Sequence, residues 1–172
     1  QTFELLDRYN IELPESVLNH LNSNIAETPK TEDAVFDNCQ FTMIARPTDM
    51  LETVVQSCKT DGHTVLSLGA DIEGEASLVA AQHAALALTT KAQLVLSGGE
   101  TTVTVESGKP CGRGGRNCEY LLALAVHLNG AEGIHALAAD TDGIDGSEDN
   151  AGALITPDTL AQAQSAGLDA RA

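Results

Sequence analysis

Residues 64–99 read TVLSLGADIEGEASLVAAQHAALALTTKAQLVLSGG, and this stretch decides the fold. TVLSLG (64–69) is a short apolar run, Glu73–Leu88 is Ala-rich and long enough for a helix, and LVLSGG (94–99) restarts the strand pattern. Strand, helix, strand with a crossover of that length predicts parallel pairing through a right-handed connection. Upstream, FTMIA (41–45) followed by a helical stretch from Thr48 to Cys58 extends the alternation, so three parallel strands are expected. Downstream, TTVTV (101–105) is strongly β-branched, and a hairpin across Gly98-Gly99 would add an antiparallel strand. A glycine- and arginine-rich loop (107–116) precedes a helix from Asn117 to Leu128, whose LLALAV reads as core. GIHALAAD (133–140) then reads as a buried strand ending at an acidic turn, and Thr156-Pro157-Asp158 opens a last helix at about 158–166. The expected class is α/β: a layered mixed, mostly parallel sheet flanked by helices.

Ahead of this unit, residues 2–9 and 14–22 carry helix-like apolar spacing, with Pro14 suited to a first helical turn. The polar stretch IAETPKTEDAVFDN reads as a surface linker. The division is therefore a helical lead and linker over 1–35 and an α/β domain over 36–172.

Composition bounds the function. With 172 residues, 42% hydrophobic, 20% charged and 3% aromatic, the chain is neither disordered nor a disulfide scaffold. Nine Lys and Arg against 25 Asp and Glu give a net charge of −16, which repels nucleic acid and anionic membranes and excludes both as partners. The longest apolar run, LLALAV (121–126), falls far short of the ~20 residues of a membrane-spanning helix. QTFELLDRYN has no secretory pattern and no initial Met, so the chain reads as a cut-out from something longer. Cys39, Cys58, Cys111 and Cys118 form no C-x-x-C pair, which predicts reduced thiols in a cytoplasmic protein.

Three segments could carry chemistry. In Ser97-Gly98-Gly99-Glu100-Thr101-Thr102, paired glycines let backbone N–H groups converge on an anion while hydroxyls orient its oxygens, although a plain tight turn explains the same residues. In Cys111–Glu119 (CGRGGRNCE), three glycines and Arg113 and Arg116 stand before a helix N-terminus, a combination suited to phosphate or carboxylate. In Asp140–Gly146 (DTDGIDG), carboxylates at a strand end could hold Mg²⁺, or could cap local backbone amides in a polar turn. Neither G-x-G-x-x-G nor the Walker pattern is present, and the EF-hand spacing fails. The five histidines are scattered; His83 and His127 read as packing or dipole partners.

Taken together, LSGGETTVTV, GRGGRNCEYLLALA and AADTDGIDG followed by AGALI resemble the MOFRL domain at the C-terminal end of type II glycerate kinases, a family often labelled hydroxypyruvate reductases. The MOFRL-like part runs from about residue 92 to 172, and LLDRYNIELPESV, ETPK and IEGEASLVA resemble the region leading into it. The resemblance implies ATP-dependent phosphorylation of D-glycerate to 2-phosphoglycerate with Mg²⁺, in a cleft shared with an N-terminal Rossmann-like domain, and a homodimer as a candidate assembly. It implies that Arg116 stabilises the transferred phosphoryl group. Ser97, Gly98, Gly99, Glu100 and Thr101 would line the cleft, Gly114, Gly115, Asn117 and Glu119 would form the supporting turn, and Asp142 and Asp145 would contact metal or substrate. Cys118 stands where the family usually has Gln and Asp140 where it usually has Gly, while SGKPC (107–111) lengthens the arginine loop. The family's last motif and its lysine-bearing domain lie outside this chain, which is therefore expected to be inactive alone. Two other functions remain: NAD(P)H-dependent hydroxypyruvate reduction, and a non-catalytic nucleotide- or anion-binding module.

Overall fold

The apolar spacing near the N-terminus produces two short helices, α1 (Thr2–Tyr9) and α2 (Glu15–Leu21), followed by single 3-10 turns at Asn24–Ala26 and Ala34–Phe36. The computed structural model describes residues 2–105, 108 and 112–171. The chain divides into a unit of residues 1–44 and a unit of residues 45–172. In the first unit neither helix buries a residue. FTMIA is not a strand: residues 39–46 are neither helix nor strand, and Phe41, Met43 and Ile44 lie exposed without a ladder partner. A five-residue apolar run becomes a strand only where another strand pairs with it.

The second unit begins with α3 (Pro47–Thr60), whose Pro47 suits the first helical position and whose Asp49 accepts the Arg46 N–H at 2.9 Å. Then β1 (Val65–Ser67), β2 (Ile72–Glu75), α4 (Ala76–Ala87), β3 (Leu94–Leu96) and β4 (Gly99–Thr102) follow. β1 pairs with β3 and β2 with β4, both in parallel, with Val65 opposite Leu94 and Ile72 opposite Gly99. The ladders run in line: the Gly98 N–H donates to the Gly69 carbonyl at 2.9 Å and the Ile72 N–H donates to the Gly98 carbonyl at 3.1 Å. The helix expected from Glu73 thus starts at Ala76, because residues 72–75 are taken up as a strand. The expected hairpin across Gly98-Gly99 does not form. Instead the chain continues in one direction, and β4 pairs with β2 rather than turning back on β3. Gly99, at φ +150°, makes this possible, since a Cβ there would overlap the Ile72 backbone.

After β4 come α5 (Arg116–Leu128), β5 (Ala136–Ala139), β6 (Gly152–Ile155) and α6 (Thr159–Ser165). β5 and β6 form an antiparallel pair with Ala136 opposite Ile155. The core joins Ala80 and Ala84 of α4 to Leu121, Leu124, Ala125 and Leu128 of α5 and Ile155 of β6. Small alanines on α4 let the two helix backbones approach closely, and Leu121, Leu124, Ala125 and Leu128 follow helical spacing on one face. Leu122, expected in the core, lies off that face and is exposed. With two parallel pairs and one antiparallel pair among the described residues, the class is α/β, mixed and mostly parallel.

Candidate functional site

The first turn of α5 gathers all three segments. Its N-cap is Gly115, which brings no side chain, so the N–H groups that open the helix need an acceptor from elsewhere. Asp145, in the β5–β6 loop, supplies it. One oxygen accepts the Asn117 N–H at 3.0 Å and the other the Cys118 N–H at 2.9 Å, and the Asn117 side-chain amide adds a third bond at 3.3 Å. Asp145 is completely buried. Burial pushes its carboxyl up, but the bonds from the Cys118 thiol, the two backbone amides and Asn117 outweigh burial and hold its pKa below the ordinary value. Gly115 is required by this approach, because a Cβ there would overlap the Asp145 side chain.

Arg116 opens the helix and points its guanidinium at two carboxylates. Nη1 donates to Glu100 on β4 at 2.7 Å, and Nη2 donates to Asp140, at the end of β5, at 3.0 Å. Asp140 and then Glu100 hold the guanidinium pKa above its already high value. The Asp140 oxygen that Arg116 leaves free accepts the Asn117 side-chain amide at 2.9 Å. The network therefore runs from buried Asp145 through Asn117 and Asp140 to Arg116 and out to exposed Glu100. Its one guanidinium faces more negative charge than it carries, and Glu100, with its side chain 74% exposed, is the partner most open to exchange.

The expected site residues sort by these contacts. Glu100 meets Arg116 and Asn117 meets Asp145, the two pairs joined through Asp140, and Gly114 and Gly115 pack beside them against Ser147 and Asp145. The Gly98 N–H is committed to Gly69, so that peptide offers no donor to an anion. Ser97 is exposed between β3 and β4, Thr101 is partly buried just after Glu100 on β4, and Glu119 lies half-buried one turn into α5. Asp142 is exposed and accepts the Ile144 N–H at 3.1 Å. An Asp142–Asp145 magnesium pair does not fit this donor set, since both Asp145 oxygens already accept N–H bonds in a buried position. Among the described residues, no group of three or more His, Cys, Asp or Glu could hold a metal ion. Arg113 stands apart, 87% exposed and bonded through Nε and Nη2 to Glu148 at 2.9 and 2.7 Å.

Cys118 is not an activated thiol. Burial, and then its bond to Asp145, push its pKa up, against the lowering usual at a helix N-terminus. Cys39, Cys58 and Cys118 are free, and Cys111 and most of the SGKPC segment fall outside the described residues. In sequence Asp140 reads as one carboxylate of the acidic turn and a departure from the resembled family, with no sign of its bond to Arg116. Sequence reasoning also missed the bond between His83 Nδ1 and the Tyr120 hydroxyl, at 2.8 Å, which ties α4 to α5. The signal available for an incoming acid was the glycine at the helix start, which leaves the cap unfilled. No helix among the described residues is long and apolar enough to cross a membrane.

Residues 93–172 match the MOFRL family. Over 98% of its length the chain is 42% identical to an Agrobacterium vitis protein named "Putative hydroxypyruvate reductase", covering 39% of it. Over 98% it is also 30% identical to a glycerate 2-kinase of Pyrococcus horikoshii, covering 41% of that protein. A crystal structure of a glycerate kinase from Thermotoga maritima superposes with a TM-score of 0.73 at 28% identity, over 98% of this chain and 40% of that one. The chain thus spans about two fifths of these relatives. The stretch that matches the MOFRL family thus includes the arginine, the two carboxylates and the capped helix, and the chain as a whole is similar to glycerate kinases.

Proposed function

We propose that this chain is the C-terminal portion of a kinase that transfers the γ-phosphoryl group of ATP to D-glycerate, giving 2-phosphoglycerate. The observation that carries the reading is Arg116, a permanently charged fork held at a helix N-terminus between Glu100 of β4 and Asp140 at the end of β5. Phosphoryl transfer requires positioning and cationic stabilisation of the equatorial oxygens, and a fork with an exchangeable carboxylate partner supplies both. A phosphate oxygen takes the place of the Glu100 carboxylate, while the partial positive charge of the α5 N-terminus adds to the same pole. Ser97, between β3 and β4, and Thr101, beside Glu100 on β4, would supply hydroxyl contacts. Magnesium would enter with the nucleotide, and exposed Asp142, three residues before the capping Asp145, would offer it a carboxylate. The remaining groups come from the N-terminal Rossmann-like domain, so this portion alone is inactive, and the enzyme works in the cytoplasm.

A coupled ADP-release assay on the full-length protein with ATP and D-glycerate tests this. Arg116→Ala should lower kcat by about 100- to 1,000-fold, the cost of removing one preorganised charge-stabilising donor. Absence of glycerate-dependent turnover, or an unchanged rate in Arg116→Ala, refutes the reading. The name of the Agrobacterium vitis relative favours a second reading, NAD(P)H-dependent hydroxypyruvate reduction. No G-x-G-x-x-G follows any strand of this chain, and loss of the reduced-nicotinamide absorbance on adding hydroxypyruvate decides between the two.

A further inference from the structure

The geometry points to Asp140 as a positioning residue that fixes the Arg116 guanidinium for the transferred group, leaving Glu100 as the exchangeable partner. The inference rests on the kinase reading and names a residue that the reading does not need.

The two carboxylates on Arg116 are unequal. The Asp140 side chain is 19% exposed and that of Glu100 is 74% exposed. Asp140 is anchored through its backbone: its N–H donates to the Ala151 carbonyl at 2.7 Å, prolonging the β5–β6 ladder, and its carbonyl accepts the Gly143 N–H at 3.3 Å. Both of its side-chain oxygens are engaged, one by Arg116 and one by Asn117. Asn117 is itself held by buried Asp145. Rotating the Asp140 carboxylate would therefore break two bonds, and moving its backbone would break the strand end. Glu100 shows one bond, on a longer and solvated arm, the kind of exposed pair that contributes little.

The consequence is directional. An anion arriving from solvent competes with Glu100 for Nη1 and leaves the Nη2–Asp140 bond in place. Arg116 then meets the phosphoryl group already oriented, which preserves the entropic advantage of a fixed geometry. Without Asp140 the guanidinium keeps only its exposed partner, and the same charge acts from many positions.

A double-mutant cycle on the full-length enzyme separates positioning from plain structural support. Asp140→Asn should lower kcat on the order of 100-fold while the KM for ATP changes little, because misplacement by about 1 Å is enough for such a loss. In the Arg116→Ala background, Asp140→Asn should cause no further loss, since the residue acts only through Arg116. Asp140→Glu keeps a charged acceptor on a longer arm and should recover part of the rate, with melting curves recorded for all variants so that assays stay below each transition. The inference is overturned if Asp140→Asn turns over like the unmutated enzyme, or if it lowers kcat by the same factor in both backgrounds. If the unmutated enzyme shows no glycerate-dependent ADP release, the kinase reading fails and takes the inference with it. An active enzyme indifferent to Asp140 sinks the inference alone.

Discussion

Replacing Asp145 removes the acceptor on which the start of α5 depends. Its carboxylate is completely buried and takes N–H bonds from Asn117 at 3.0 Å and Cys118 at 2.9 Å. Loss of an N-cap alone costs about 0.5–2 kcal/mol. Here two buried N–H groups would also lose their acceptor, at about 1–3 kcal/mol for each group left unpaired. Against this, alanine no longer carries the cost of burying a charge. The balance for Asp145→Ala is about 3 kcal/mol, which lowers the melting temperature by about 6–12 °C in a protein of this size. Asp145→Asn keeps one acceptor oxygen but loses the charge facing the helix dipole, for about 2 kcal/mol. Because the folded carboxyl lies below its ordinary pKa of 3.8, its contribution is fully present above that value and is lost as pH falls through the folded one. Urea midpoints of the unmutated protein and Asp145→Asn should therefore differ at neutral pH and converge in acid. Hydrogen exchange at the Asn117 and Cys118 amides should accelerate in both variants. Melting within about 1 °C of the unmutated protein at neutral pH, with those amides still protected, would refute the capping argument.

Other positions give sharper contrasts. Arg113→Ala removes an ion pair whose arginine is 87% exposed, so stability should change by less than about 1 kcal/mol in thermal melts. Gly99→Ala places a methyl against the Ile72 backbone at φ +150°, and should cost more than about 3 kcal/mol by urea titration as the β2–β4 ladder opens. Tyr120→Phe should cost about 1 kcal/mol through its lost bond to His83. Burial lowers the His83 pKa below 6.5, so the folded state prefers the neutral ring, and stability should decline as pH falls below that value. Paired urea titrations at pH 7.5 and 5.5 should show a smaller decline in His83→Gln.

Much of the α/β unit is legible because its signals are local. Leu121, Leu124, Ala125 and Leu128 place one face of α5 in the core by spacing alone, and the Ala-rich run before Leu88 needs no partner to read as helix. β2 is hidden for the opposite reason. IEGE has neither an apolar run nor alternation, and it becomes a strand because β4 lies beside it in parallel. The hairpin expectation failed on the same point: Gly98-Gly99 reads as a turn locally, but the Gly98 peptide is bonded to Gly69 and Ile72, some thirty residues back. A pattern read along the chain carries no information about which distant carbonyl an N–H will meet.

The two arginines of the glycine loop make the same point at the site. In sequence they are equivalent, three residues apart and each beside a glycine, and both suit an anion. What separates them is the helix. Arg113 precedes the N-cap, so nothing fixes its backbone to α5, and it ends in an exposed pair with Glu148. Arg116 is the first helical residue, so its Cα is set by the same turn that Asp145 caps and Asp140 braces through Asn117. The acidic turn that reads as a metal site in sequence is thus, in the fold, what holds a cation in place. A net charge of −16 follows the same logic: where lysines and arginines are few, the carboxylates around Arg116 make its position specific rather than merely its charge available.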